Sequence, residues 1–489
     1  MSSPGRSQLH FEPFVHLVDV TERSALVAWG GFYLRPGDDG WAVVDDDELP
    51  DGRTSGGTIG LESAPYGRAT VDVFDDGRLV ASASTVENNH VWIEGLEPDH
   101  EYRYRVAVDD AEWGVGDRWD WQLGPAGGGL VPAGRRYDLR LRTHPDADDD
   151  VPVSVVAVGD YGVGIVNGDD GRRQLAVART MERLAANRAV RALVSLGDNI
   201  YHGPEDQLAQ TGAEDDDWYF TFYEPYRYLI DHLPLYPAAG NHDGADEELN
   251  DDRAQLADNF HLQSRFRRAV DDGRASCDPG LFYRVSIGGL LELVCVDTTR
   301  GDEQGHHYFD DEQHREWLDD TFPTTGDRRA QWLVPFAHHP AWCAGPHHTG
   351  MVEQFHGLIP RYERAGVRLV LAGHEHNFQH GEHRGLHHVV AGAGAKLDTR
   401  RPMRWAEAQV DAWAAQPHYV LVEALPDRLI VTPYGPPPGP DGQPVQLLAE
   451  GPDGDIGPAG FVITPDGSSN APSNWFDSHQ MPRAGRYRR

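Results

Sequence analysis

Lysine is almost absent from this chain. Of the 43 basic residues only Lys396 is a lysine, and all the others are arginine. Against them stand 78 acidic residues, for a formal net charge of −35. An acidic balance of this size argues against nucleic-acid backbones and anionic membranes as routine partners, because both need basic patches to neutralise phosphate. The bias towards arginine and aspartate fits a high-GC genome or a salty cytoplasm equally. Cysteine is scarce too: Cys277, Cys295 and Cys343 are too few, and odd in number, for a disulfide framework. No apolar run approaches the roughly 20 residues of a membrane-spanning helix. The opening Met1–Arg6 stretch leads into no apolar signal core and carries no twin arginine. The expectation is a reduced, cytoplasmic setting, with export by an unrecognised route left open.

What is present is globular in composition, 39% hydrophobic with 13 Trp and 18 Tyr. A chain of 489 residues exceeds a single ordinary core, so two domains with extensions are expected. After an extension over residues 1–10, residues 11–145 read as all-β. Short runs such as Val15–Val20, Ala25–Trp29, Ala69–Phe74, Leu79–Ala83 and Tyr137–Thr143 are separated by Gly and Asp turns. Tyr102, Tyr104 and Val106 alternate towards one face. The spacing Leu96-x-Pro98-x-x-x-Tyr102-x-Tyr104-x-Val106 resembles a fibronectin type III domain, which implies that Tyr102 forms the corner contact of a sandwich. Residues 35–66 and 110–135, rich in Gly and Asp, are expected to be loops. An acidic connector follows at 146–150.

From residue 151 to 435 strand-like and helix-like stretches alternate. Leu175, Ala178, Met181, Leu184 and Ala185 share one face of a helix expected over Gly171–Arg188, which would join two parallel strands. Further helices are expected at Asp215–Ile230, Asp251–Val270, Asp310–Asp320 and Val352–Ala365, and a hairpin at Leu281–Ile287 and Leu290–Val296. The mixed order predicts an α/β domain built as a two-sheet sandwich, preceded by the β-domain. Residues 436–489 are dense in Pro and Gly and read as a tail unable to build a core, draped over the body through Phe461, Val462 and Trp475.

Inside the α/β region five apolar runs each end in polar residues suited to metals. They lead into Gly159-Asp160-Tyr161-Gly162, Gly197-Asp198-Asn199-Ile200-Tyr201, Gly240-Asn241-His242-Asp243, His338-His339-Pro340 and Gly373-His374-Glu375-His376. Ligands bind at the carboxyl ends of strands in open α/β folds. Any one of these motifs could be a turn, a helix cap or a chance pair. All five, in order and each at a strand end, point to one metal site. Two carboxylates, an amide oxygen, a phenol and three imidazoles are more donors than one four-coordinate ion needs. Shared between two ions they suit in-line displacement at phosphorus, where paired metals stabilise the attacking and leaving oxygens. Local metal charge also explains how an acidic protein attracts an anionic substrate.

At these residues the chain resembles the calcineurin-like metallophosphoesterases, and within them the purple acid phosphatases, over about 280 residues from Val153 to Tyr434. The distinctive element is Tyr201, which the general superfamily lacks. The resemblance implies that Asp160, Tyr201 and His376 bind one metal and Asn241, His338 and His374 a second, with Asp198 bridging. The implied pair is Fe(3+) beside a divalent Fe, Zn or Mn, since a phenol gives up its proton readily only to a strong Lewis acid. It also implies that His242 orients or protonates at the substrate, and it offers His347 as a further substrate-side histidine. Asp243 is read as a carboxylate that orients a neighbour. His339, His356, His380, His383, His387 and His388 are read as structural or solvent-facing.

The implied function is hydrolysis of small phosphomonoesters by attack of a metal-bound hydroxide in line with the departing alkoxide. Phosphodiester cleavage at the same site, or a non-catalytic metal-containing scaffold, are the alternatives. Family members are commonly exported, and this chain shows no export signal. The small mammalian-type enzymes lack a leading β-domain, and the plant-type enzymes that have one differ in their loop motifs. Oligomeric state is not legible.

Overall fold

A computed structural model describes residues 9–37, 40–44, 67–86, 88–114, 119–124, 127–201, 218–243, 256–262, 264–265, 282–299, 312–324, 330–348, 357–437 and 442–470. The amino-terminal domain is two antiparallel sheets facing each other. Strands His10–Val20, Ser24–Gly37, Gly40–Val43 and His90–Glu94 form one. Arg68–Asp75, Arg78–Val86, Glu101–Val108, Ala111–Trp113 and Arg140–Arg142 form the other. Alternation drives the pairing: along Glu101–Val108 the side chains of Tyr102, Tyr104, Val106 and Val108 are buried, while Glu101, Arg103 and Arg105 are exposed. They meet Val15, Leu17, Val27 and Trp29 from the first sheet. The Tyr102 hydroxyl accepts a hydrogen bond from the Glu97 N–H at 2.8 Å, pinning the corner before its strand.

The stretches expected to be loops are partly strands. Gly40–Val43 extends the first sheet, and Trp119–Gly124 pairs with Gly127–Pro132 as a hairpin. Gly-rich flanks hide the alternation of Trp119 and Trp121, and burial comes partly from the neighbouring domain, where the Trp121 ring stacks edge-on to Phe220. Residues 45–66 lie outside the described part.

The second domain is a two-sheet sandwich. One sheet runs in the order Leu235–Pro237, Val190–Ser195, Val153–Val158, Tyr419–Leu425, Arg428–Gly435, Phe461–Ile463. The other includes, in order, Tyr283–Ile287, Leu291–Cys295, Trp332–Ala337, Leu369–Ala372, Leu386–Ala391, Phe378–His383 and Val410–Ala414. The central strands are parallel, largely buried and rich in Val and Leu, as strands covered on both faces must be. Helix Gly168–Asn187 buries Leu175, Ala178, Met181, Leu184 and Ala185 on the first sheet. Glu312–Thr321 and Ile359–Ala365 cover the second through Trp317, Leu318 and Tyr362. The helix expected at Asp215–Ile230 is described from Trp218 and opens with a π-turn, Tyr219–Tyr223, before Glu224–Ile230. Of the helix expected over Asp251–Val270, residues 256–262 and 264–265 are described, with helical turns.

Residues 445–470 correct the reading of a tail without core. Val445–Gln446, Phe461–Ile463 and Ser469–Asn470 extend the first sheet, and Leu448–Glu450 and Ile456–Pro458 the second. Phe461–Ile463 pairs with Leu429–Val431 and is buried. Strands of two or three residues carry too little alternation to register in sequence; their partner edges define them. Trp475 lies outside the described residues.

The two domains meet through a buried polar cluster. The Arg227 guanidinium pairs with Glu12 of the first domain and with Glu224 at 2.8 Å, and it stacks over Phe14. Beside it His16 is fully buried against Phe222, and among the described residues neither ring nitrogen has a hydrogen-bond partner. Burial first, and the charge of Arg265 second, push its pKa down to about 3 from 6.5. The unfolded chain therefore binds the proton more tightly, and stability present above pH 6.5 is lost as pH falls towards about 3, by up to about 1.4 kcal/mol per pH unit. His16→Phe is expected to flatten the loss of melting temperature between about pH 6 and pH 4. An unchanged slope would show that His16 does not hold this neutral, desolvated state.

Candidate metal centre

Five strands end at one point between the sheets, three from the first and two from the second. The strands are largely apolar and buried, and the cluster of polar side chains begins where the chain turns out of the sheet. Space at that point is scarce. A Cβ on Gly240 would meet the Asp198 backbone nitrogen at 2.1 Å, and one on Gly373 would meet the Asp160 carboxylate at 2.6 Å. The same crowding twists three of the polar residues themselves. Asp160, Asp198 and His374 hold φ values of 55°, 53° and 72°, a left-handed conformation that costs a non-glycine residue about 1–3 kcal/mol.

The structure brings together all seven residues named as metal ligands. The Tyr201 hydroxyl lies 3.0 Å from Asp160 Oδ1 and 3.2 Å from His376 Nε2, and His376 Nε2 is 3.5 Å from the same carboxylate oxygen. Next to this group Asn241 Oδ1 lies 2.9 Å from His338 Nε2 and 3.0 Å from His374 Nδ1. Asp198 stands between the groups: its Oδ1 is 3.3 Å from His338 Nε2, and its carboxylate also bonds Tyr201. Backbone bonds hold the carboxylates in place, from His374 N–H to Asp160 Oδ2 at 2.8 Å and from His242 N–H to Asp198 Oδ1 at 3.0 Å. His338 spends Nδ1 on the Leu196 carbonyl at 2.9 Å, which aims Nε2 inward.

The electrostatics fit cations. Asp160 and Asp198 are buried, and among the described residues neither pairs with an arginine or lysine. Burial first and its neighbour Asp198 raise Asp160 well above the carboxylate range, the attraction of His338 notwithstanding. Burial acts on Asp198 in the same sense, but the charges of His338 and His242 and its hydrogen bonds outweigh it and bring the pKa to about 2. Burial and then neighbouring histidines hold His374 well below 6.5, and burial lowers His376, so both rings stay neutral and able to ligate. Tyr201 is raised well above 10 by burial and by both carboxylates. A strong Lewis acid at its oxygen is what would reverse this. Two cations would satisfy both carboxylates and the clustered ring nitrogens, so the donor set fits a dinuclear centre.

The cluster opens into a cavity of about 470 Å³. His242 lines it, its ring 4.5 Å from that of Tyr201. His347 lines it as well, stacked 6.1 Å from His376. His348, its neighbour in the chain, lies closer in, with its ring 3.8 Å from His374. Asp243 does not reach the cavity. Its carboxylate accepts hydrogen bonds from Gly240 N–H (2.7 Å), Asn199 Nδ2 (2.7 Å) and Ile200 N–H (2.9 Å), so it ties two ligand loops together as a positioning residue. Three further residues escaped the sequence reading. Glu375, beneath the histidines, accepts the backbone N–H groups of His347 and His348 at 3.4 and 2.7 Å. Asn199 also donates to the Ala238 carbonyl at 2.8 Å. Lys396 reaches the cavity from the turn after Leu386–Ala391, whose run of small residues after a strand was the available signal. His339 is buried, 3.0 Å from Thr298 Oγ1, and His380, His387 and His388 pack on the second sheet away from the cavity, while His356 lies outside the described residues.

Residues 153–378 match the family described as Calcineurin-like phosphoesterase. This stretch is a calcineurin-like phosphoesterase domain. Among curated proteins, the chain is 27% identical over 295 residues to tartrate-resistant acid phosphatase type 5 of Homo sapiens, covering 55% of this chain and 80% of that one. Among solved structures it is similar to PhoD, with a TM-score of 0.58 and 13% identity over 94% of this chain and 91% of the other. It is also similar to a purple acid phosphatase from yellow lupin (Lupinus luteus) seeds, with a TM-score of 0.56 and 12% identity over 93% and 74%. At such identities the two structures speak to fold. These relatives imply a dinuclear metal centre for the phosphoesterase domain.

Asn241→Ala is expected to reduce metal content, since it removes the one oxygen shared by His338 and His374. Asp243→Asn, which leaves one of three N–H donors without an acceptor, is expected to lower metal affinity about 10–100-fold with the fold intact. Metal analysis of dialysed protein decides both; full occupancy in Asn241→Ala would remove it from the ligand set.

Proposed function

We propose that this protein is a phosphomonoesterase of purple acid phosphatase type acting on small phosphorylated substrates. The observation that carries the reading is the Tyr201 hydroxyl, placed among Asp160 and His376 within a site whose remaining donors suit a divalent ion. A phenol in that position favours Fe(3+) at the first site, with Fe, Zn or Mn at the second. Cations bound there supply Lewis acidity to the phosphoryl group and activate water as nucleophile.

The chain's own groups do the rest. Asp160, Tyr201 and His376 would hold one cation and Asn241, His338 and His374 a second, with the Asp198 carboxylate between the two groups. The His242 ring faces the cavity while its backbone is tied to Asp198, which fixes the imidazole relative to the centre. From there it delivers a proton to the departing alkoxide. His347 and His348 close the opposite wall, held by Glu375.

Protein purified without chelators and assayed for metal is expected to cleave p-nitrophenyl phosphate faster than bis-p-nitrophenyl phosphate. Faster diester cleavage would make it a phosphodiesterase, and full metal content without turnover of either ester would leave a scaffold. His242→Ala should lower turnover of alkyl phosphates by about 10²–10⁴ and that of the nitrophenyl ester by less. Equal losses on both would remove His242 as proton donor.

A further inference from the structure

Lys396 is the only lysine of the chain, and it stands in the wall of the catalytic cavity. Elsewhere this sequence meets every need for positive charge with arginine, yet among the described residues no arginine lines the cavity. The root of the side chain is fixed to the metal-binding core, because the backbone N–H groups of Ala395 and Lys396 donate to the Asp160 carbonyl at 3.0 and 3.3 Å. Its far end is held loosely. The ammonium lies 4.8 Å from the centre of the Tyr201 ring and 3.8 Å from Asp170, beyond hydrogen-bond reach. Asp170 is itself bonded by Arg173, which also donates to the Ala395 carbonyl at 2.9 Å. The ammonium therefore keeps donors to offer, and its side chain is 33% exposed.

The position answers an electrostatic need. A substrate anion entering a protein of charge −35 passes Asp170 at the cavity wall before it reaches the centre. Among the described residues Lys396 is the fixed cation on that wall. A compact ammonium on a flexible stem can follow a phosphoryl oxygen without the planar fork that an arginine would impose. Resting on the phosphatase reading above, we propose that Lys396 is a substrate-binding residue. It receives a non-bridging phosphoryl oxygen on the Tyr201 side of the cavity and favours dianionic monoesters over monoanionic diesters.

The test uses the full-length, metal-loaded protein with Lys396→Gln and Lys396→Arg. Inorganic phosphate serves as the binding probe by calorimetry, and the two nitrophenyl esters as substrates. Lys396→Gln is expected to weaken phosphate binding and raise KM for the monoester by about tenfold, with kcat and metal content little changed and the diester affected by less than about twofold. Lys396→Arg should recover most of the affinity. Because the chain has a single lysine, acetylation of Lys396 followed by mass spectrometry gives an independent readout, which inorganic phosphate should slow. Phosphate affinity and KM in Lys396→Gln equal to those of the parent would overturn the inference. So would equal losses on both esters accompanied by loss of metal, which would mark a structural role. A metal-loaded parent that neither binds phosphate nor cleaves either ester would instead overturn the functional reading, and this inference with it.

Discussion

Two carboxylates, Asp160 and Asp198, are buried where two sheets meet, and among the described residues neither forms an ion pair with an arginine or lysine. Everything around the centre follows from that deficit of positive charge. Desolvation opposes ionising both, and their mutual repulsion raises Asp160 further. The cations that such a site takes up therefore contribute to holding the strand ends together as well as to chemistry, because ions that bind only the folded chain stabilise it. The neutral histidines complete the arrangement: buried against one another, they present lone pairs rather than protons.

Holding such a site open demands a stiff frame. Left-handed backbone at Asp160, Asp198 and His374 stores strain that the surrounding pairing has to overcome. The buried parallel strands provide the frame, and Asp243 and Glu375 fasten the loops to it from beneath. The amino-terminal sandwich and residues 445–470 add to the same body, the one through Arg227 and its aromatic neighbours, the other by lengthening both sheets. Neither contributes a described residue to the cavity wall.

An acidic surface and an anionic substrate are compatible because the two fields act over different distances. Surface charges are screened beyond roughly 8–10 Å at ordinary ionic strength, whereas ions and an ammonium inside the cavity act at contact. Local charge decides what is bound.

The phosphoesterase core was legible because its pattern is local. A buried strand announces itself as an apolar run, and the polar residue that follows is adjacent in sequence, so Asp160, Asp198, Asn241, His338 and His374 could be picked out once the five motifs were read together. The amphipathic face of Gly168–Asn187 was legible for the same reason. What could not be read depends on a partner distant in the chain. Phe461–Ile463 is a strand because Leu429–Val431 offers it an edge, and the hairpin at 119–132 owes part of its burial to the second domain. Asp243 reads in the sequence as orienting a neighbour, but that it ties the Gly240 and Asn199–Ile200 turns together depends on which N–H groups lie within its reach. Lys396 carries no motif of its own, and only the packing of its turn beneath Asp160 brings the ammonium to the cavity. Residue chemistry and strand order came from the sequence; which side chains share a desolvated space came from the tertiary structure, because burial and charge are properties of neighbours.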